Sequence, residues 1–217
     1  LNTPEESFVA VRSSVAVKDS PISSFPGMMD TYHYLKGEAE IVEHIRKCWG
    51  SLWTSRAAMS RHHKGVDHHL GLIAPIVQKM VHSEVAGVLF TANPITSNRD
   101  EIVIEANWGL GESVVSGKSM NDFFVVDKSP LKLKDKKISK KTLMISFDEE
   151  KGYGRKEMAI APDMMDAPTL TDKQAEQLAG MGLKIEEVFA FPQDIEWAYD
   201  KGELFILQSR NIRTLKE

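Results

Sequence analysis

Near the end of the chain, two stretches alternate in side-chain character, residues 194–199 and 203–208, and only Asp200-Lys201-Gly202 separates them. A period of two is a strand signal, and a glycine-containing three-residue link reads as a hairpin loop. No other feature constrains the fold as much, because an antiparallel pair dictates which side chains share a face. Asp194 and Glu196 fall on one side, Ile195 and Trp197 on the other. Pairing across the loop sets Asp194 roughly opposite Gln208, with Arg210 on the same face just beyond. Two carboxylates, an amide and a guanidinium therefore converge. Hard oxygen donors suit Mg²⁺, which keeps several waters and bridges to substrate phosphates, and an arginine beside them suits a phosphate oxygen. A solvated hairpin face with a surface ion pair of little energetic weight satisfies the same spacing.

Elsewhere short strands mix with a few helices. Residues 7–11 read as a strand ahead of Arg12-Ser13-Ser14, and residues 20–27, with two Pro, three Ser and one Gly, as a loop. Ile41, Val42, Ile45, Trp49, Leu52 and Trp53 recur at helical steps, one face of a helix reaching toward Met59. Residues 73–81 read as a strand despite Pro75, which points to an edge or an irregular start. Residues 85–91, 101–106 and 123–126 supply further strands. Thr171-Asp172-Lys173-Gln174 matches a capping box ahead of the apolar stripe Leu178, Met181, Ile185 and Val188. The fold class expected from this mixture is α+β, with mixed α/β as the alternative.

Composition excludes some functions. With 42% hydrophobic and 27% charged residues in 217, the chain is neither collagen-like nor largely disordered, and it can bury one large core or two small ones. A net charge of -4 gives no electrostatic case for nucleic acid as the main partner. Cys48 stands alone, so no internal disulfide framework is possible; an inert buried thiol in a reducing, cytoplasmic setting is expected. No apolar run approaches the ~20 residues of a membrane span, and the start lacks a signal-peptide pattern.

Other segments carry chemical potential of their own. A strand ending in Arg12, followed by a Ser/Pro loop with Gly27, offers hydroxyls and backbone N–H groups to a polyphosphate, although a plain loop reads the same way; no Gly-Lys-Ser/Thr marks a P-loop. Gln78 to Val81 offer a strand edge to an adenine, with Met80 against the ring. His62-His63 and His68-His69 read as a solvated loop at a helix end rather than a metal site. The seven lysines between Lys128 and Lys141 read as a solvated face, and Trp108 as a packing residue.

In order along the chain stand Val11-Arg12-Ser13-Ser14, Phe25-Pro26-Gly27-Met28-Met29-Asp30-Thr31, Val77-Gln78-Lys79-Met80-Val81, Gly87-Val88-Leu89-Phe90-Thr91, Gly109-Leu110-Gly111-Glu112, Asp194-Ile195-Glu196-Trp197 and Gln208-Ser209-Arg210. This series resembles the nucleotide-binding domain of the phosphoenolpyruvate synthase and pyruvate phosphate dikinase family, an ATP-grasp fold shared with rifampin phosphotransferase and phenylphosphate synthase. The resemblance runs from Phe8 to Arg210. It implies that Arg12 contacts the ATP phosphates and that Gly27 to Thr31 form a glycine-rich lid, with Thr31 reaching phosphate. Gln78, Met80 and Val81 would line the adenine pocket; Glu196 and Gln208, supported by Asp194, would hold Mg²⁺; Arg210 would neutralise phosphate charge. In the family, ATP phosphorylates a histidine on a separate swivelling domain, and an ATP-binding lysine lies in a lobe ahead of the Val-Arg-Ser-Ser strand. Neither that lobe nor the carrier histidine's Thr/Ser-Cys/Ser-His setting stands in this sequence, so the chain is expected to be part of an enzyme. It divides into residues 1–36 as the end of the first lobe with the lid, 37–70 as a helical segment, and 71–217 as the metal- and adenine-binding lobe. The expected partners are ATP, a phosphohistidine carrier domain or subunit and the lysine-bearing lobe, with no nucleic acid or membrane. The alternative is a non-catalytic nucleotide-sensing or assembly subunit that retains the pocket.

Overall fold

The computed structural model describes residues 7–15, 30–63, 65–212 and 215, which fall into two compact units, Leu1–Met80 with Phe147–Arg155 and Val81–Ser146 with Lys156–Glu217. In the first unit, β1 (Val9–Val15), β2 (Tyr32–Leu35) and β3 (Ile73–Lys79) make an antiparallel sheet in the order β2-β1-β3. Pro75 is tolerated because β3 is an outer strand with β1 as its neighbour, as the sequence suggests. Helices α1 (Glu38–Gly50) and α2 (Ser55–His63) lie between β2 and β3 in the chain. The continuous helix suggested by the spacing from Ile41 to Met59 is broken by a 3-10 turn over Ser51–Trp53. Thr54 then turns extended, and its Oγ1 accepts from the Ala57 N–H at 3.4 Å, so a hydroxyl residue starts a second helix.

The two faces of this small sheet differ. Val9 and Val11 point with Leu35 and Ile73 onto the α1 residues Ile41, Ile45 and Cys48, and Leu52 closes the cluster. Cys48 is buried there, and burial together with Asp30 pushes its thiol pKa up, as an inert buried thiol requires. On the other face Phe8, Tyr34 and Phe147 form an aromatic cluster with ring centroids 4.8–5.8 Å apart. Val9 pairs with Leu35 and Val11 with Tyr32, so His33 and Tyr34 together oppose the single residue Ala10 in a bulge.

The second unit runs β4 (Val85–Phe90), β5 (Glu101–Trp108), α3 (Glu112–Val115), β6 (Asp122–Asp127), β7 (Lys132–Lys137), β8 (Leu143–Phe147), β9 (Arg155–Ala159), α4 (Pro162–Met165), α5 (Asp172–Phe189), β10 (Gln193–Asp200) and β11 (Glu203–Asn211), with Phe147 and Arg155 belonging to the first unit. Six of these strands form one antiparallel sheet, β11-β10-β4-β5-β6-β7. Helix α5 begins at the expected capping box, in which Gln174 N–H donates to Thr171 Oγ1 and Thr171 N–H to Gln174 Oε1. Its Ala175, Leu178 and Ala179 pack on the face bearing Leu89, Ile104, Phe124, Ile195 and Trp197. Mixed helix and antiparallel sheet fit the expected α+β class.

The lysine run becomes β7 and its flanks, largely as a solvated face. Lys132 pairs with Glu176 at 3.1 Å, Lys134 with Glu101 at 2.8 Å and Lys136 with Asp172 at 2.6 Å. Lys141 departs from that reading. It is fully buried, donating to Asp122 Oδ1 at 2.7 Å and to the Ser139 carbonyl at 2.9 Å. Trp108 is a packing residue as expected, its Nε1 donating to the Met164 carbonyl at 3.1 Å.

Candidate functional site

The β10–β11 turn is tighter than its sequence suggests. Asp200 pairs with Glu203, so Lys201 and Gly202 alone make the turn, with φ of 51° and 78°. Two successive left-handed residues are what a type I′ turn needs, and glycine meets the second at no steric cost. Continued regularly, a two-residue turn would set Gln208 opposite Ile195, on the core face. A bulge intervenes: Trp197 pairs with Ile206 and Glu196 with Gln208, leaving Leu207 as the extra residue. Asp194 therefore lies opposite Arg210 rather than Gln208, which corrects the register read from the sequence. The four side chains still share one face, with their cross-strand partners exchanged.

Within this strip Arg210 binds Asp194 twice through one oxygen, its Nε donating to Oδ2 at 2.8 Å and its Nη2 standing 2.6 Å from the same atom. The Asp194 side chain is only 12% exposed and that of Arg210 42%, so the pair anchors a guanidinium at the protein surface. Burial pushes the Asp194 carboxyl pKa above its usual range; Arg210 pulls it back, and Glu196 adds to the rise. Glu196 and Gln208, direct cross-strand neighbours, offer a carboxylate and an amide oxygen, and Asp194 Oδ1 lies on the same face. No group of three or more His, Cys, Asp or Glu gathers among the described residues, the paired histidines included. An oxygen-only set of few protein donors fits Mg²⁺, which draws its other ligands from water and phosphate.

In the first unit, Arg12 sits on the central strand, and its Nη1 donates to Gln78 Oε1 at a long 3.5 Å. Gln78 thus turns its side chain to Arg12, a contact that strand reading alone does not reveal. Thr31 immediately precedes Tyr32, the partner of Val11, and so stands beside the Arg12 position. The Met80 N–H donates to the Phe8 carbonyl at 2.9 Å. Val81 begins the second unit, and its carbonyl accepts from Ser83 Oγ at 3.5 Å. Gly27 lies outside the described residues.

The family described as the pyruvate phosphate dikinase AMP/ATP-binding domain matches residues 2–217. The chain belongs to this family. This pyruvate phosphate dikinase-type AMP/ATP-binding domain is 48% identical over 219 residues to the phosphoenolpyruvate synthase of Pyrococcus furiosus, covering 98% of this chain and 27% of that protein. Identity to the probable phosphoenolpyruvate synthase of Pyrococcus horikoshii is likewise 48%, with the same coverage. Identity to the rifampicin phosphotransferase of Bacillus cereus is 44% over 211 residues, 97% of this chain and 24% of that protein. The domain thus spans about a quarter of the length of the curated relatives it matches.

Two groupings escaped sequence reading. The buried Asp122–Lys141 pair joins residues 19 apart through a carboxylate at a strand start and a lysine inside a basic run. His33 comes within electrostatic range of Arg12 and of Arg155 only through the β2 bulge and the 147–155 segment, and no local spacing signals either.

Proposed function

We propose that this domain is the ATP-binding part of a phosphotransferase of the phosphoenolpyruvate synthase and pyruvate phosphate dikinase type, with an ATP-grasp-like arrangement, which positions Mg-ATP to phosphorylate a histidine on another domain or subunit. The observation that carries the reading is the β11 bulge, which sets Glu196 opposite Gln208 and the Asp194–Arg210 pair beside them on one face. Family membership supports nucleotide binding, and the names of the relatives support phosphoryl transfer.

In this reading Glu196 and Gln208 hold the cation, with Asp194 contributing its second oxygen. Mg²⁺, when bound, neutralises charge on the phosphate oxygens. Arg210, fixed in orientation by Asp194, meets a phosphate oxygen with its remaining donors, and Arg12 does the same from its own strand. Catalysis of such a transfer is mainly positioning and charge neutralisation, which these groups supply. Gln78, Met80 and Val81 line the adenine side, and Gly27 to Thr31 close over the phosphates. A lysine from a further lobe and a histidine from a carrier domain complete the reaction. Calorimetric titration with ADP, with and without Mg²⁺, tests the metal role. Glu196→Gln should weaken binding about tenfold or more with Mg²⁺ and little without it, the loss of one charge-assisted contact. Equal losses in both conditions would refute the assignment.

A further inference from the structure

The face of the small sheet that carries Arg12 holds further cationic or ionisable groups that the reading above leaves unused, His33 and Arg155 among them. The β2 bulge turns Tyr34 onto the side of Phe8 and Phe147 and brings His33 within electrostatic range of Arg12. The Gly154 N–H donates to the Tyr34 carbonyl at 3.3 Å, which lays Arg155 alongside β2. His33 is therefore within electrostatic range of both Arg12 of β1 and Arg155 of the 147–155 segment. The two arginines are the charged groups that act on the ring; on the same face Lys36 stands over the Phe8 ring, 5.9 Å from its centre, and the 147–155 segment also carries Asp148, Glu149, Glu150 and Lys151. The Nδ1 atom of His33 is buried and has no hydrogen-bond partner among the described residues. Burial first, then Arg155, then Arg12 lower its pKa to about 4, so the ring is neutral at physiological pH.

We propose that Arg12, His33 and Arg155 form a cradle for the nucleotide's phosphates, and that the His33 imidazole takes up one proton when the polyphosphate settles there. The inference rests on the reading of Arg12 as a phosphate ligand. The physical cause is a reversal of the field at the ring. The two guanidiniums disfavour an imidazolium, whereas a polyanion beside the ring offsets their field and accepts a charge-assisted hydrogen bond from it. The proton comes from the buffer, one N–H bond forms, and the ring gains one positive charge. His33 thereby becomes a positioning residue whose charge appears only with ligand, and nucleotide affinity becomes coupled to pH.

If phosphate restores the ring's ordinary pKa of about 6.5 from about 4, binding should tighten roughly 25-fold more between pH 7.5 and pH 5 than in a variant with no titrating ring. The comparison with His33→Gln cancels the titration of the phosphates themselves. The test follows the His33 Cε1–H resonance of the 217-residue chain by NMR, with and without metal-free ADP, assigning it by its loss in His33→Gln. Calorimetry supplies the ADP affinity from pH 5 to pH 7.5 for the wild type, His33→Gln, Arg155→Ala and Arg12→Ala. The expected result is a His33 pKa that rises by two units or more on ADP binding, weaker binding in Arg155→Ala, and the stated pH gap between wild type and His33→Gln. Binding that depends on Arg12 while the His33 pKa stays put, with no pH gap, overturns the cradle and leaves the Arg12 role intact. Binding indifferent to Arg12→Ala, or none at millimolar ADP, overturns the phosphate reading and the cradle with it.

Discussion

Replacing Asp122 by Asn should be among the most damaging single-atom changes available in the second unit. Asp122 is fully buried at the start of β6, and four donors converge on its two oxygens. Oδ1 accepts from the Ser139 N–H at 3.0 Å and the Lys141 ammonium at 2.7 Å; Oδ2 accepts from the Thr169 N–H at 2.8 Å and the Thr169 hydroxyl at 2.9 Å. An amide keeps the shape but turns one acceptor into a donor. If the NH₂ faces Thr169, the hydroxyl can rotate to accept, but the backbone N–H loses its partner. Either way the Lys141 ammonium, with no exposed surface, keeps only neutral acceptors. Leaving one member of a buried pair uncompensated costs about 3–5 kcal/mol. Lys141→Met should cost less, because the carboxylate keeps three hydrogen-bond donors that stabilise its charged form. Urea unfolding followed through tryptophan fluorescence measures both. With a slope of about 2 kcal/mol/M, Asp122→Asn should lower the midpoint by about 2 M. A cost below about 1 kcal/mol, or a larger cost for Lys141→Met, would refute the charge argument.

Gly87 lies in register with Trp197, and a Cβ there would stand 1.9 Å from the Glu105 carbonyl oxygen and 2.9 Å from the indole. Gly87→Ala should therefore destabilise the chain by about 3 kcal/mol or more, while Gly50→Ala, with nothing within 4 Å of its Cβ, should be neutral or mildly stabilising in the same assay. The low pKa of His33 also has a stability consequence. The unfolded chain binds the ring proton below about 6.5 and the folded chain only below about 4, so stability should fall as pH drops through that window, by on the order of 3 kcal/mol at most. His33→Gln should flatten that part of the pH–stability curve, and an unchanged slope would show that the ring is not held neutral.

The hairpin strip was legible because strand alternation fixes faces from sequence alone: Asp194, Glu196, Gln208 and Arg210 do share one. The register was not, since the two-residue turn and the Leu207 bulge are each a one-residue departure, and their effects on facing cancel. The capping box at Thr171 and the edge character of the Pro75 strand were legible for the same local reason, a backbone group whose needs a neighbouring residue type declares. The long helix failed at Thr54, where an apolar period persisted through a residue that caps rather than continues. Contacts such as Arg12 with Gln78, 66 residues apart, depend on sheet order, which no local pattern encodes.

The extra residue at Leu207 makes the strip a question of odd and even. Beyond the turn, each residue added to or removed from β11 before Gln208 exchanges that strand's inward and outward sets. A single insertion would carry the amide and the guanidinium into the layer under α5 and send Ser209 out in their place. A change of two would return them to the same side, one pair further along. Drift in the length of this hairpin is therefore filtered by parity: domains that keep the strip can vary it in twos, or trade a one-residue change in the turn against loss of the bulge.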